Sequence, residues 1–316
     1  MVETKITVVM TAFNAEKYVS EAIESILTQT ETNFKFIVVN NGSDDSTGKI
    51  IEDFAKKDQR ISFFQRFGKS TYVDGRGYAI EKVDTEWFAI MDADDISEPT
   101  RIERQLEYIE KYGSETSVFG TWGYSINNLG NIVSKIEMGP LTIKEYDTII
   151  SKNEAIVPLD PSTVIKKETF LKAGGYRSET APAADLDLWY RISEQGKSIL
   201  IIPERLVRYR IHTESTSVHD SMHQRLKTHY INYNMRNRRN DIEELKYDEF
   251  LEKIWSKYSY KIPRLRNDYG LVFYKRAGFS FSKKDYFSML IYLTLAFLFK
   301  PIHIIKGIAR HIRLEK

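Results

Sequence analysis

The sequence predicts an α/β fold, with a mostly parallel, doubly wound sheet followed by a C-terminal helical region. Over the first hundred residues, short β-branched runs alternate with stretches whose apolar residues recur at the helical period. Beyond about residue 217 the sequence becomes helical, basic and rich in tyrosine. We therefore expect two parts: residues 1–217, which contain the sheet, and residues 218–316, which are mainly helical.

Four apolar runs, at residues 5–10, 34–39, 60–64 and 87–91, predict the first four strands. The stretches between them predict helices. In the first stretch, which Asn14 is placed to cap, residues 19, 22, 23, 26 and 27 form one apolar stripe. Strands and helices that alternate with short connections imply a parallel sheet.

The middle of the chain is less regular. We expect strands at residues 120–126, 132–136 and 197–202 and short helices at residues 168–173 and 186–194. The glycine pair Gly174-Gly175 ends the first of these helices.

Composition excludes several classes of protein. The 42% hydrophobic and 28% charged content is that of a globular chain, and the absence of cysteine excludes a disulfide scaffold and any cysteine-based site. The apolar run near the N-terminus is too short for the core of a signal peptide, so we expect a cytoplasmic protein.

Charge is distributed unevenly along the chain. Between Glu204 and Lys316 there are 23 Lys and Arg against 12 Asp and Glu, although the whole chain carries a net charge of only +2. A basic tail of this kind suits an anionic membrane surface, and a solvated helical surface is the alternative.

Polar residues follow three of the predicted strands, at residues 11–14, 40–45 and 92–95. Ligands of parallel sheets bind beyond the carboxyl ends of the strands. We therefore expect these three clusters to converge in space.

The acidic cluster contains Asp92, Asp94 and Asp95. Three carboxylates this close repel one another unless a cation lies among them, and hard oxygen ligands suit Mg²⁺ or Mn²⁺ bound to substrate phosphates. The alternative for Asp95 is that it caps the helix that begins near Pro99 and Thr100.

Two further acids, Asp185 and Asp187, lie at the start of a predicted helix, where they cannot both face the same point. One of them suits a general base, and the other a helix cap or a partner for an arginine. A lone histidine such as His212 is more often structural than a ligand. The remaining histidines have no ligand constellation with acids, so we interpret them as surface or packing residues.

The order of these motifs resembles that of the family-2 glycosyltransferases, which have the GT-A fold, a Rossmann-like arrangement. The resemblance spans residues 5 to about 217. It is carried by Thr7–Asn14, Ser25–Thr30, Val38–Ser43, Met91–Asp95, Asp160-Pro161-Ser162, Gly174-Gly175-Tyr176, Asp185–Arg191 and Tyr209–His212.

The resemblance implies an inverting, metal-dependent enzyme of the type that builds bacterial polysaccharides and cell-surface glycans. It would transfer a hexosyl or N-acetylhexosaminyl group from a nucleotide-sugar donor, with a UDP-sugar favoured, to a hydroxyl of a glycan or lipid-linked acceptor. The implied site residues are a nucleotide-binding set, a metal-binding pair, a catalytic base and secondary candidates. They are Thr11, Phe13, Asn41, Arg76 and Asp92 for the nucleotide; Asp94 and His212 for Mg²⁺ or Mn²⁺; Asp185 as the base; and Asp187, Asp95 and Trp189 as secondary residues.

Two departures from the family pattern affect these expectations. Asn40-Asn41 replaces a pair that usually contains an Asp reading uracil, although an amide can still donate and accept hydrogen bonds. Ala184 stands where Glu often precedes the catalytic base.

Two other functions remain open. A catalytically silent protein that binds a sugar nucleotide or glycan is consistent with both departures. A sugar-phosphate nucleotidylyltransferase is disfavoured, because the loop after the first strand is not rich in Gly and Arg. The basic residues are not arranged as a nucleic-acid-binding module.

The tail contains an apolar run at residues 287–299, which is shorter than the roughly 20 residues that cross a bilayer. Together with the mixed basic and apolar sequence after Pro301, it predicts a helix on the cytoplasmic face of a membrane. The alternative is a helical hairpin in which residues 268–278 pack on residues 284–299. The two predictions are compatible.

Overall fold

The computed structural model describes residues 4–68, 70–152, 154, 156–212, 221–282 and 284–301. The chain divides into two compact units, Met1–Ser215 and Thr216–Lys316. The domain boundary expected at residue 217 lies outside the described residues.

Nine strands among the described residues of the first unit form one sheet, in the order β3-β2-β1-β4-β8-β6-β9-β5, with β7 paired to β6. The bounds are β1 Ile6–Ala12, β2 Lys35–Asn41, β3 Ile61–Arg66, β4 Trp87–Asp92, β5 Ile96–Ser97, β6 Thr116–Ile126, β7 Ile132–Ile136, β8 Val164–Lys166 and β9 Ser198–Arg210.

The first four strands are parallel, as the alternating sequence pattern predicts. β1 pairs with both β2 and β4, and β2 pairs with β3. β1, β2 and β4 are almost continuously buried, which is typical of strands whose two faces are both covered. All three end at the same edge of the sheet, and this edge carries the polar clusters.

Seven helices connect these strands among the described residues of the first unit. They are α1 Val19–Leu27, α2 Thr47–Ala55, α3 Tyr72–Glu81, α4 Arg101–Tyr112, α5 Ile143–Ser151, α6 Lys167–Lys172 and α7 Ala184–Ser193. α1 buries Val19, Ala22, Ile23 and Ile26, the apolar stripe that the sequence predicts.

The expected α/β class with its mostly parallel sheet is confirmed, but one strand is much longer than expected. β9 was expected to end at residue 202, yet it continues to Arg210 along β6. The apolar run ends at residue 202 and an alternating segment follows, so the pattern changes within a single strand. This extension brings Arg210 and His212 to the acidic cluster.

The second unit contains four helices among its described residues: α8 Ser221–Arg238, α9 Tyr247–Phe250, α10 Tyr258–Ser282 and α11 Tyr286–Phe299, with a π-helical turn, Leu251–Trp255, after α9. α10 and α11 pack together as the expected hairpin. The two helices approach each other closely at Gly270, where a Cβ atom would lie 2.9 Å from Lys300 Cβ. At Gly278, the other glycine of α10, a Cβ atom would meet nothing within 4 Å.

None of the helices among the described residues is long and apolar enough to cross a bilayer. The basic and apolar segment after Pro301 lies outside the described part of the chain.

Candidate active site

The three polar clusters converge as expected at the carboxyl end of the sheet. Thr11 on β1 pairs in register with Asp92 on β4, and Ala12 pairs with Asn40 on β2. The loops after β1 and β2 are tied together, because Asn14 Oδ1 accepts a hydrogen bond from the N–H of Asp44 at 3.1 Å. The N-cap residue of α1 is Tyr18, so the expectation that Asn14 caps this helix is wrong.

The acidic cluster brings one carboxylate oxygen from each of Asp92, Asp94 and Asp95 within 4.8 Å of the others. His212 Nε2 lies 2.9 Å from Asp94 Oδ2, so the strand extension of β9 brings the expected metal-binding pair together. The sequence alone places these two residues 118 positions apart.

Asp95 is part of this cluster, and the expectation that it caps a helix is wrong. The N-cap of α4 is Thr100. The carboxylate of Asp95 is buried, its Oδ1 accepts the backbone N–H of Arg210 at 2.7 Å, and its Oδ2 has no hydrogen-bond partner among the residues that the structure describes.

The cluster fits a divalent cation in its donor chemistry. Carboxylate oxygens are the ligands that Mg²⁺ and Mn²⁺ take when they also bind phosphates. The buried oxygen of Asp95 that lacks a partner and the mutual proximity of the three acids are both consistent with a cation among them.

Arg76 lies at the centre of the site, buried on α3. Its Nη2 donates to Asp92 Oδ1 at 2.5 Å and its Nη1 donates to Asp160 Oδ2 at 2.5 Å. The rings of Tyr72 and Tyr176 lie 5.6 and 5.7 Å from the guanidinium carbon. Burial opposes the charge of Arg76, but Asp160 and Asp92 raise its pKa well above the ordinary value.

Burial raises the pKa of three acids of the site: Asp160, Asp92 and Asp95. It raises the pKa of Asp160 to about 7, against the lowering effect of Arg76. It also raises the pKa of Asp92, where Arg76 opposes the shift and Asp94 adds to it. The pKa of Asp95 is raised well above its usual range by burial and by the charges of Asp94 and Asp92.

The two acids at the start of α7 have separate environments. Asp187 is buried and binds Arg191, with Oδ2 at 2.9 Å from Nε and 2.7 Å from Nη2. Arg191 in turn donates to the carbonyl of Gly175 at 2.7 Å, so this pair holds the turn that carries Tyr176. Asp187 therefore pairs with an arginine. This is one of the two roles, arginine partner or helix cap, that the sequence predicts for the acid that is not the base.

Asp185 belongs instead to the charge cluster around Arg76. Burial raises its pKa, while the N–H of Leu186 and the charge of Arg76 lower it. Its charge also acts on Tyr72, Asp92 and Asp160. The environments of Asp185 and Asp187 therefore differ, because Asp187 binds an arginine whereas Asp185 is influenced by the charge of Arg76.

Asn41 lies beside this centre, but its amide is largely occupied. Its Oδ1 accepts from Arg66 Nη1 at 2.9 Å and from Ser70 Oγ at 2.7 Å, and its Nδ2 donates to Thr71 O at 3.1 Å. These bonds use both acceptor sites of the amide oxygen and one of the two N–H groups, and Asn41 is buried.

The remaining expected nucleotide residues lie on β1 and its loop. Thr11 has a buried Oγ1 without a hydrogen-bond partner in the described ranges, and Phe13 is 59% exposed. An exposed aromatic ring beside these polar groups suits stacking on a flat ligand.

Trp189, which we expected as a secondary site residue, is a core residue. Its side chain is fully buried and belongs to the main hydrophobic cluster. Trp189 lies in the same motif as Asp185 and Asp187, about one turn later on α7, where the helix packs on the core. Sequence spacing alone does not distinguish the site residues of this motif from its core residues.

Sequence reasoning missed two charged residues that organise the site. Asp160 and Arg210 both lie in motifs that carry the family resemblance, but the sequence pattern predicts no role for either of them. Arg210 is buried and donates from Nε to Asp94 O at 2.7 Å and from Nη2 to Glu21 Oε2 at 2.5 Å. The spacing of a motif cannot show such contacts, because they join residues more than 80 positions apart.

Comparison with known sequences finds one matching family description. The sequence model of "Glycosyl transferase family 2" matches residues 7–166. An uncharacterized glycosyltransferase of Methanocaldococcus jannaschii is 31% identical over 227 residues, which are 71% of this chain and 77% of that protein. The O-antigen biosynthesis glycosyltransferase WbnJ of Escherichia coli is 31% identical over 67% of this chain and 81% of its own.

Among solved structures, residues 1–349 of S. aureus TarS are similar in fold. The crystal structure has a TM-score of 0.57 at 17% identity and covers 90% of this chain and 89% of that chain. The same TarS fragment in complex with UDP-GlcNAc matches with a TM-score of 0.57 at 16% identity and the same coverage. At this identity the likeness concerns the fold, and it agrees with the expected GT-A arrangement.

Proposed function

The chain belongs to glycosyl transferase family 2, and on this basis we propose that it is an inverting, metal-dependent enzyme. It transfers a hexosyl or N-acetylhexosaminyl group from a nucleotide-sugar donor to a hydroxyl of a glycan or lipid-linked acceptor. In this proposal Asp185 is the general base, and a divalent cation binds at Asp94, with His212 beside it.

The observation that carries the proposal is a cluster of three carboxylates that could hold a cation, one of which binds Arg76, together with a separate acid, Asp185, on which the charge of Arg76 acts. Asp92, Asp94 and Asp95 offer carboxylate oxygens at a single point. Asp92 also binds Arg76, whose charge acts on Asp185. A diphosphate-binding end and a proton-accepting end are the two parts that inverting transfer requires.

The chemical step needs one base. The acceptor oxygen forms a bond to the anomeric carbon while the bond from that carbon to the diphosphate oxygen breaks. Asp185 takes the proton of the acceptor hydroxyl, and the nucleoside diphosphate leaves with the electron pair. A bound Mg²⁺ or Mn²⁺ would stabilise the negative charge of this leaving group.

Burial supports Asp185 as the base. A base is most effective when its pKa lies near the working pH, and burial raises the pKa of Asp185 toward that range. Asp187 lacks this freedom, because Arg191 occupies its carboxylate.

A UDP-sugar is the donor that we favour. The TarS fragment, whose fold is similar over 90% of this chain, has a crystal structure in complex with UDP-GlcNAc. Thr11, Phe13, Asn41, Arg76 and Asp92 make up the proposed nucleotide end. Asn41 has one N–H to offer, and a uracil carbonyl can accept it.

The acceptor proposal follows the relatives. WbnJ is named for O-antigen biosynthesis. We therefore propose a glycan or lipid-linked acceptor and a role in the synthesis of a cell-surface polysaccharide.

A lipid-linked acceptor would place the enzyme at the cytoplasmic face of a membrane. α11 exposes Phe287, Leu290, Ile291 and Leu298, which recur at helical spacing along one stripe. Exposed apolar groups next to basic charge suit the surface of an anionic bilayer. The basic excess between Glu204 and Lys316 provides the complementary charge.

The experiment that tests the function is a donor screen. The purified chain is incubated with UDP-, GDP- and dTDP-sugars with Mn²⁺, with Mg²⁺ or with EDTA, and release of nucleoside diphosphate is measured. We expect divalent-dependent release from a UDP-sugar and none in EDTA.

The Asp94→Ala variant provides the control for this screen. It removes the carboxylate next to His212 and should abolish the difference between metal and EDTA in both release and nucleotide affinity. Nucleotide affinity that is the same in both conditions for the wild type would contradict the metal site. Nucleotide binding without release or transfer would favour a catalytically silent binding protein.

A further inference from the structure

Asp160 lies in the proposed donor site, yet neither the reaction nor the motif spacing assigns it a task. It begins a short 3₁₀ turn, Asp160–Ser162, before β8. Its side chain is 12% exposed, and Arg76 is its hydrogen-bond partner among the described residues. Its Oδ1 is buried and has no hydrogen-bond partner within the described part of the chain.

Such a carboxylate does not obviously add to stability. A buried ion pair usually contributes no more than well-packed apolar side chains of the same volume, because both charges lose their hydration. The position of this pair is therefore more informative than its energy. The second nitrogen of the same guanidinium reaches into the acidic cluster.

Arg76 divides its two terminal nitrogens between two acids. Nη1 binds Asp160, and Nη2 binds Asp92 through Oδ1 alone. The other oxygen of Asp92, Oδ2, accepts no hydrogen bond from the described residues, and the Asp92 side chain is 32% exposed. One carboxylate oxygen of the acidic cluster is thus left available.

A guanidinium with a single carboxylate partner prefers a different geometry. It binds both oxygens at once through two parallel hydrogen bonds. Were Asp160 absent, Arg76 would be free to turn onto Asp92 in this way and to occupy Oδ2 as well.

We propose that Asp160 is a positioning residue that holds Arg76 to a single oxygen of Asp92 and so keeps Asp92 Oδ2 available to the metal and diphosphate of the donor. This role rests on the proposed glycosyltransferase function and deepens it. Asp160 acts through Arg76 and Asp92 and does not touch the reacting atoms.

The test measures binding of UDP, GDP and dTDP by calorimetry, each with Mn²⁺ and with EDTA, in the full chain. Asp160→Ala should weaken Mn²⁺-dependent nucleotide binding by at least about tenfold, the loss expected for one hydrogen bond to a charged group. Asp160→Asn keeps an oxygen that accepts from Arg76 and should restore most of the affinity.

The control substitution lies at the opposite end of the sheet. Asp58 pairs with Arg60 before β3 at 2.7 Å, and both side chains are 23% exposed. Asp58→Ala removes a comparable ion pair, so it should lower the thermal midpoint without changing nucleotide affinity. A purely structural role for Asp160 would give the same result as Asp58.

A double variant separates an indirect role from a direct one. In the Asp92→Asn background, Asp160→Ala should cause little further loss, because the oxygen that it protects is already altered. A full additional loss would mean that Asp160 contacts the ligand itself and would overturn the proposal. Asp160→Val, which fills the volume of the carboxylate, decides the same question if the alanine variant does not fold.

Failure of this proposal is distinguishable from failure of the function. A wild-type chain that binds none of the three nucleotides would overturn the glycosyltransferase proposal, and with it the role of Asp160. If the wild type binds a nucleotide and Asp160→Ala and Asp160→Val bind it with the same affinity, only the proposed role of Asp160 is overturned.

Discussion

Single side chains in the site differ mainly in what partners they have. Asp185 and Asp187 are two positions apart on α7, yet one lies in the cluster around Arg76 and the other is neutralised by Arg191. Residues with the same chemistry therefore lie in separate environments, because a helix directs neighbouring side chains to different sides.

The first prediction concerns the proposed base. Asp185→Asn should lower kcat by about 10²- to 10⁴-fold, the usual contribution of a general base, while nucleotide affinity persists. Asp187→Asn should instead destabilise the fold by up to about 3–5 kcal/mol, because it removes the negative charge that faces the buried guanidinium of Arg191.

Steady-state kinetics and denaturant unfolding of both variants provide the measurement. Near-normal turnover in Asp185→Asn, together with a catalytic loss in Asp187→Asn that exceeds its loss of folded protein, would move the base to Asp187.

At the scale of elements, α3 matters because it packs closely on the ends of two strands. A Cβ atom at Gly75 would lie 2.6 Å from Asn41 Cγ and 2.7 Å from Thr11 Cγ2, so only glycine allows this approach. The helix that carries Arg76 therefore packs directly against Thr11 and Asn41, two residues of the proposed nucleotide-binding site.

The second prediction uses two glycines of this helix. Gly75→Ala should displace α3, lower the free energy of unfolding by about 1–3 kcal/mol and weaken nucleotide binding. A Cβ atom at Gly77 meets nothing within 4 Å, so Gly77→Ala should be neutral or stabilise the protein by up to about 1 kcal/mol. Equal effects of the two substitutions on unfolding and on nucleotide affinity would contradict the close packing of α3.

The third prediction concerns α11 and a membrane surface. Leu290→Glu should reduce flotation of the protein with vesicles that contain anionic lipid, because it places a negative charge on the exposed apolar stripe. Leu171 on α6 is equally exposed at 59%, so Leu171→Glu provides the matched control and should leave flotation unchanged. Equal flotation of wild type and Leu290→Glu would remove α11 as the contact.

At the scale of the whole molecule, the buried acids link stability to pH. Burial raises the pKa of Asp160 from 3.8 to about 7, so over that interval the unfolded chain has released a proton that the folded protein keeps. The stability from this group is full below about pH 4 and is lost as the pH rises toward 7. The raised pKa values of Asp92, Asp95 and Asp185 act in the same direction.

The fourth prediction follows from this sign. In EDTA, the thermal midpoint should decrease as the pH rises from about 5.5 to about 7.5, an interval that includes the raised pKa of Asp160. The decrease should be smaller in Asp160→Asn. Mn²⁺ should raise the midpoint more at the higher pH, because it binds ionised carboxylates. The acids with lowered pKa values, such as Asp45 and Asp58, act below about pH 4 and leave this interval unaffected. A midpoint in EDTA that rises over the interval would contradict the prediction.

Much of this fold could be predicted because its signals are local. The strands β1, β2 and β4 are continuous apolar runs, and α1 has an apolar stripe at helical spacing. The acidic cluster could be predicted as well, because its members are adjacent in sequence and follow a buried strand. The length of β9 could not, because the pattern of the strand changes where it leaves the core.

The sequence by itself determined the α/β class, the positions of the first four strands along the chain and the edge of the sheet at which Asp92, Asp94 and Asp95 would lie. Only the tertiary structure decided that Arg76 is shared between Asp92 and Asp160, that Asp95 is buried in the cluster, and that Trp189 packs in the core. The reason is physical. Periodicity reports the local environment of a residue, whereas a hydrogen bond between residues 84 positions apart, such as that of Arg76 and Asp160, exists only once the elements have packed.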